Sequence, residues 1–134
     1  MSSIYDKARE AFLSADIDWL SDTIKAVMTT SAYTPDFSTD DVLSDISVGA
    51  RATATSEAFT DKTATDGWAS TDKIEWLTVT GATRVAIVVY QDTGDEATSR
   101  LIAYLDDDIT NLPLEPTGAK VTFIPDSDTG LFRI

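Results

Sequence analysis

Neither cysteine nor histidine occurs in these 134 residues. Without cysteine there is no disulfide and no thiolate metal site, and the redox compartment leaves no trace in the chain. Without histidine the commonest general base, the commonest metal ligand and every Ser/His or Cys/His arrangement are gone. Chemistry here would have to run on carboxylates, lysine, tyrosine or backbone donors. Positive charge is scarce as well: ten Lys and Arg stand against 23 acids, a formal charge of −13. The few cations are scattered, so phosphate backbones and anionic membranes are repelled, and neither nucleic acid nor membrane is expected as a partner. No segment approaches the ~20 apolar residues of a membrane span. "MSSIYDKAREAFLSADIDWL" lacks the apolar run of a signal peptide, which predicts a soluble protein made in the cytoplasm.

What is abundant is aspartate and threonine, 18 and 20 residues respectively, against 5 Glu. Aspartate favours turns and caps over helix interiors, and threonine favours strands. A chain of this length makes one domain, 1–134, with a core that needs no staples. The composition points to a strand-rich domain with acidic loops.

The opening residues carry the one good helical pattern. Ser3 and Asp6 resemble a capping box with Asp in the usual Glu or Gln place. Ile4, Ala8, Ala11, Phe12 and Ala15 fall on one stripe, with Lys7, Arg9 and Glu10 on the other faces. The helix should stop near Asp16, and residues 1–20 form a helix and arm ahead of a β domain at 21–134. In "DTIKAVMTTSAY" Ile24, Ala26 and Met28 alternate with Lys25, Val27 and Thr29, a strand pattern. Pro35 and four aspartates break it, and Thr39 or Asp40 could cap a helical turn across Val42, Leu43 and Ile46. "VGARATATSEAFT" alternates Ala50, Ala52 and Ala54 with Arg51, Thr53 and Thr55, which predicts another strand. Gly67 marks a turn, and "KIEWLTVTG" a strand with Ile74, Trp76 and Thr78 on one face. "TRVAIVVYQD" and "SRLIAYL" are apolar on both faces and read as central strands. Pro113, Pro116 and Gly118 interrupt regular structure, and "AKVTFIP" and "GLFRI" close the chain as short strands. One helix followed by short strands without helical crossovers predicts a mainly β fold, an N-terminal helix and an antiparallel β-sandwich or jelly-roll-like domain.

Three acidic stretches invite a metal or catalytic reading. In "QDTGDEATS" Asp92, Asp95 and Glu96 could offer oxygen ligands, but EF-hand spacing is missing and the stretch is an ordinary hairpin turn. Asp106, Asp107 and Asp108 repel one another into solvent at a strand end. "PDSDTG", with Asp126 and Asp128 before Gly130, is the most calcium-like fragment and equally a common turn composition. Carboxylate pairs for glycoside hydrolysis need one raised pKa in a cleft. The acids here lie in polar loops, except Glu75, which alternation points outward. No G-x-S-x-G, G-x-x-x-x-G-K-[ST] or G-x-G-x-x-G is present. No catalytic residue, metal ligand or cofactor is therefore assigned. Tryptophan serves hot spots, sugar platforms and small β cores alike. Trp76 reads as core, Trp19 as packed on the sheet, and Trp68 in "DGWAS" as partly exposed.

Four stretches, "KAREAFLSADIDWLSDTIKAVM", "LSDISVGARATATS", "GDEATSRLIAYLDD" and "LPLEPTGAKVTF", together resemble a family of small proteins from the structural-gene modules of tailed bacteriophages. The family's "LSDIP.GAR" loop stands here as "LSDISVGAR", with Ser47 in place of proline. Its "LTGKTVTDG.F" segment is matched loosely by "FTDKTATDGWAS". The likeness spans nearly the full length, and its motifs are structural. It implies a non-enzymatic virion protein made in the host cytoplasm, a capsid decoration protein on the outside of the head that binds the major capsid protein, with a sister copy as an alternative partner. Candidate contacts are the N-terminal helix and the loops at 34–48 and 106–118. The partner-binding residues expected are Ile4, Tyr5, Phe12, Trp19 and Trp68. A tail or neck component is the nearest alternative. A carbohydrate-binding module built on Trp68 is the alternative of another class.

Overall fold

A computed structural model describes residues 2–107 and 109–134. Its centre is the stretch expected to be buried on both faces. Strand β6 (Ala86–Gln91), as it is numbered in chain order, pairs on one side with β2 (Ile24–Thr29) and on the other with β7 (Leu101–Leu105). Strand β1 (Ser3–Ile4) adds to β7, giving an antiparallel sheet of order β1-β7-β6-β2. Val, Ile, Leu and Tyr side chains fill both faces of its two central strands, as continuous apolar runs require. A second antiparallel sheet runs β3 (Thr63–Thr65), β4 (Trp68–Ser70), β9 (Phe132–Arg133). A third pairs β5 (Ile74–Trp76) with β8 (Val121–Phe123). The mainly β, antiparallel fold with an N-terminal helix is thus what the composition and spacing predict. One continuous core joins the sheets, with Trp76 fully buried and its indole N–H donated to the Ala26 carbonyl at 3.2 Å.

The helix is shorter than its apolar stripe. Helix α1 spans Asp6–Leu13, and Tyr5 rather than Ser3 is its N-cap, with no side-chain cap bond. Ser3 and Ile4 are strand because their partners on β7, Tyr104 and Ala103, offer a ladder. That ladder outweighs a single first helical turn. Ala8 and Ala11 do face the core, as the stripe predicts.

The "VGARATATSEAFT" stretch is a correction. Val48–Arg51 form a helical turn, α2, not a strand. Alanine and arginine are better helix formers than strand formers, and Arg51 Nε donates to the Ile46 carbonyl at 2.9 Å to close the turn. Residues 54–59 then run irregularly along β2. Met28 N donates to Ala54 O, Ser56 N to Ala26 O and Phe59 N to Ile24 O. This segment covers an edge that would otherwise be open. The helical turn foreseen across Val42, Leu43 and Ile46 is a single 3-10 turn, Leu43–Asp45.

Arg84 pins this corner. Its side chain is almost wholly buried. The guanidinium donates to the carbonyls of Ala52 and Thr80, both at 2.7 Å, and of Met28 at 3.2 Å. Backbone carbonyls from three separate segments stand in for a carboxylate.

Candidate functional site

The acidic stretches resolve into turns. In the β6–β7 connection the three acids diverge. Asp92 Oδ1 accepts the Gly94 N–H at 3.0 Å, and its Oδ2 pairs with Lys25 at 2.9 Å. Asp95 Oδ1 accepts the Ala97 N–H at 2.9 Å, and Glu96 pairs with Arg51 at 2.6 Å. Burial opposes ionisation of Asp92, but Lys25 and the Gly94 amide outweigh it and hold the carboxyl below its ordinary value. In "PDSDTG", Asp126 Oδ1 accepts the N–H groups of Asp128 at 2.8 Å and Thr129 at 3.0 Å. The oxygen that a cation would take already closes the turn. Asp107 Oδ2 accepts the Ser2 N–H at 2.8 Å, while Asp108 lies outside the described residues. Glu75 points outward between Lys120 and Lys73, and the Lys120 contact foremost keeps its pKa below the ordinary carboxylate value. Among the described residues no group of three or more acids could hold a metal ion. Nor is any helix there long and apolar enough to cross a membrane.

Of the five residues expected to meet a partner, three serve the protein's own interior. Ile4, Tyr5 and Trp19 are all buried; as surface contacts Ile4 and Tyr5 are corrected, while Trp19, packed on the sheet as its reading has it, also lines the hollow described below. Ile4 belongs to the β1–β7 ladder. Tyr5 donates its hydroxyl to Tyr33 Oη (2.7 Å), which donates in turn to Asp40 Oδ2 (2.8 Å). Burial pushes both phenols far above their ordinary pKa, so the protons stay in place. Phe37 of the 34–48 loop lies tilted against Tyr5 and edge-on to Tyr104, which draws that loop onto the core. Trp19 stands edge-on to Phe59 and Phe132 and donates its indole N–H to the Thr63 carbonyl at 3.0 Å. Neither Tyr5, the N-cap of α1, nor Trp19, in the turn beyond it, lies within the helix, and which face each turns to the core depends on the sheet's arrangement.

Phe12 and Trp68 are half-buried, and the fold brings them together. They line, with Trp19, Ala64, Phe132 and Ile134, an open apolar hollow of about 210 Å³ between α1 and the outer sheet. The floor is a row across three strands. Ala64 of β3 lies opposite Ala69 of β4, which lies opposite Phe132 of β9. Two alanines where larger side chains would fill the sheet leave the hollow, and Phe12 and Ile134 stand at its sides. The tight turn into this row falls at Asp66 and Gly67, with φ of 53° and 81°. Only glycine and small polar residues accept such angles cheaply, and that is why "DG" marks the hairpin. Arg133 lies over the Trp68 ring, 5.9 Å from its centroid. Leu13, next to Phe12, is 91% exposed.

No protein-family model matches this chain, and no curated protein compared with it is similar to it.

Proposed function

We propose that the protein is a non-enzymatic virion structural component that decorates and stabilises the outside of a tailed-phage capsid by binding major capsid protein subunits. The observation that carries this reading is the hollow. A chain with 23 acidic residues against 10 basic ones presents an apolar recess edged by Phe12, Trp68 and Ile134, with Leu13 exposed beside it. Apolar recesses on an otherwise charged surface are where partners dock. The resemblance of four sequence stretches to phage structural proteins is what supports a capsid subunit as the partner. The acidic surface suits the outer face of a shell, away from packaged DNA. Many copies on one shell convert modest single contacts into durable attachment.

Imaging of the virion that carries this chain tests the reading. Density for it is expected on the outer capsid surface, with the hollow turned to the shell. Leu13→Ser, at a residue 91% exposed beside the hollow, is expected to lower its occupancy on purified capsids at unchanged melting temperature. Density on the tail or neck, or none on the particle, would overturn the assignment. A carbohydrate platform is the weaker reading, because the hollow's lining offers no polar side chain to bond sugar hydroxyls.

A further inference from the structure

We infer that the free edge of β3 takes up an extended segment of a partner protein as a fourth strand, with an apolar side chain of that segment seated in the hollow and basic residues on either side of it.

The inference rests on the hollow being the partner-facing surface and adds how the partner is held. Strand β3 is the outermost of its sheet. Its three residues are all exposed. The hydrogen-bond phase of the hairpin says which way they point. Gly67 O accepts the Ile134 N–H at 2.9 Å, and Ala69 O accepts the Leu131 N–H at 2.8 Å. Both carbonyls therefore face β9, away from β3. Ala64, opposite Ala69, then sits in a non-hydrogen-bonded pair, and antiparallel alternation turns its own N–H and C=O outward to the open edge. Among the described residues no hydrogen bond from outside the sheet reaches either group. Ala64 also lines the hollow. A residue paired with Ala64 from outside would place its N–H and C=O on Ala64 and its side chain over the recess, since directly opposed residues share a face. Main-chain bonds supply attachment and one pocket supplies selection, the logic of strand addition.

Charge selects the occupant. Asp61 and Asp66 lie exposed just before and just after β3, while the nearby Lys62 ammonium is turned inward onto the Asp22 carbonyl. The edge thus presents acids at both ends. A second copy of this chain would bring the same acids and a further −13. A segment with Lys or Arg flanking an apolar residue is the complementary one.

The probe is the acetylated, amidated peptide Lys-Thr-Leu-Thr-Lys, titrated into the isotope-labelled full chain. Saturable shifts are expected at the Ala64 amide and the Trp68 indole. Hydrogen exchange at Ala64 N–H should slow about ten-fold at saturation, a direct mark of strand pairing. Methylating the leucine nitrogen, or replacing both lysines by glutamate, should each weaken binding at least about ten-fold. Shifts at Trp68 with unchanged exchange at Ala64 would overturn strand addition while leaving the hollow, and the decoration role, intact. Equal binding by the glutamate peptide, no binding at all, or a dimer in light scattering of the free chain would also overturn it. Loss of capsid attachment is a separate measurement on virions, so the two readings fail independently.

Discussion

Arg84 shows how much one side chain decides. A buried cation without a carboxylate is held because the carbonyls of Met28, Ala52 and Thr80 converge on its fork from segments far apart in sequence. Burial pulls its pKa down from the ordinary arginine value, yet guanidinium stays charged over the whole working range. Lysine offers a single nitrogen where the fork offers two terminal nitrogens, and it would leave buried carbonyls unpaired. Arg84→Lys is therefore expected to cost about 2–4 kcal/mol in chemical denaturation, from several lost charge-assisted bonds. A loss below about 0.5 kcal/mol would mean that water replaces the guanidinium there. Nothing in the sequence distinguished Arg84 from a surface arginine. It stands at the head of the doubly apolar stretch "TRVAIVVYQD", and its partners are backbone atoms, which carry no sequence signature.

Among the elements, the turn at 126–130 is fixed by packing as much as by its own chemistry. Gly130 has φ of 66°, and a Cβ there would lie 2.7 Å from the Ala69 carbonyl oxygen and 2.8 Å from Ser70 Cβ. Gly130→Ala must both enter the left-handed region and push the turn off β4. A loss of about 2–3 kcal/mol is expected on thermal or urea unfolding, more than conformational strain alone commonly costs. A loss under about 1 kcal/mol would show that β4 yields to the turn. The turn was legible in "PDSDTG", but its close seating on β4 was not. Helix α1 and the "VGARATATSEAFT" stretch teach the converse. The amphipathic pattern held for Asp6–Leu13 while the sheet drew Ser3–Ile4 into β1, and the alternation of the second stretch misled, because Val48–Arg51 closed into a helical turn.

For the molecule as a whole, the missing histidine and cysteine leave no side chain with an ordinary pKa between about 5 and 8. Stability should be flat from about pH 5 to pH 7, where only carboxylates far from their midpoints remain to titrate. Below that it should fall. The folded-state pKa is lowered for Asp36, foremost by the Ser38 hydroxyl. It is lowered for Glu75 by Lys120 and for Asp126 by the Asp128 amide. A group whose pKa is lower in the folded state stabilises it above the unfolded value, about 4 for these acids. That stabilisation is lost as pH falls through the folded value. Melting temperature against pH should therefore show a plateau and an acid-side drop. A maximum near pH 4 would mean that relief of self-repulsion outweighs these bonds. Salt acts on the same balance. With a net charge of −13, raising NaCl from about 0.02 M to about 1 M shortens the screening length and should raise the melting temperature. A fall would mean that pairs such as Lys25–Asp92 and Arg51–Glu96 count for more than the repulsion.

Composition and periodicity by themselves determined the class of fold, the central pair of strands, the turn at Gly67 and the acidic turns, because each depends on residues close together in the chain. They also removed histidine and thiol chemistry outright. Only the tertiary structure decided that Tyr5 faces inward, and it set Phe12 beside Ala64 and Ile134 at the edge of one hollow. Residues from the two ends and the middle of the chain meet there through sheet order and strand phase, and those are settled by long-range pairing that no local window of sequence contains.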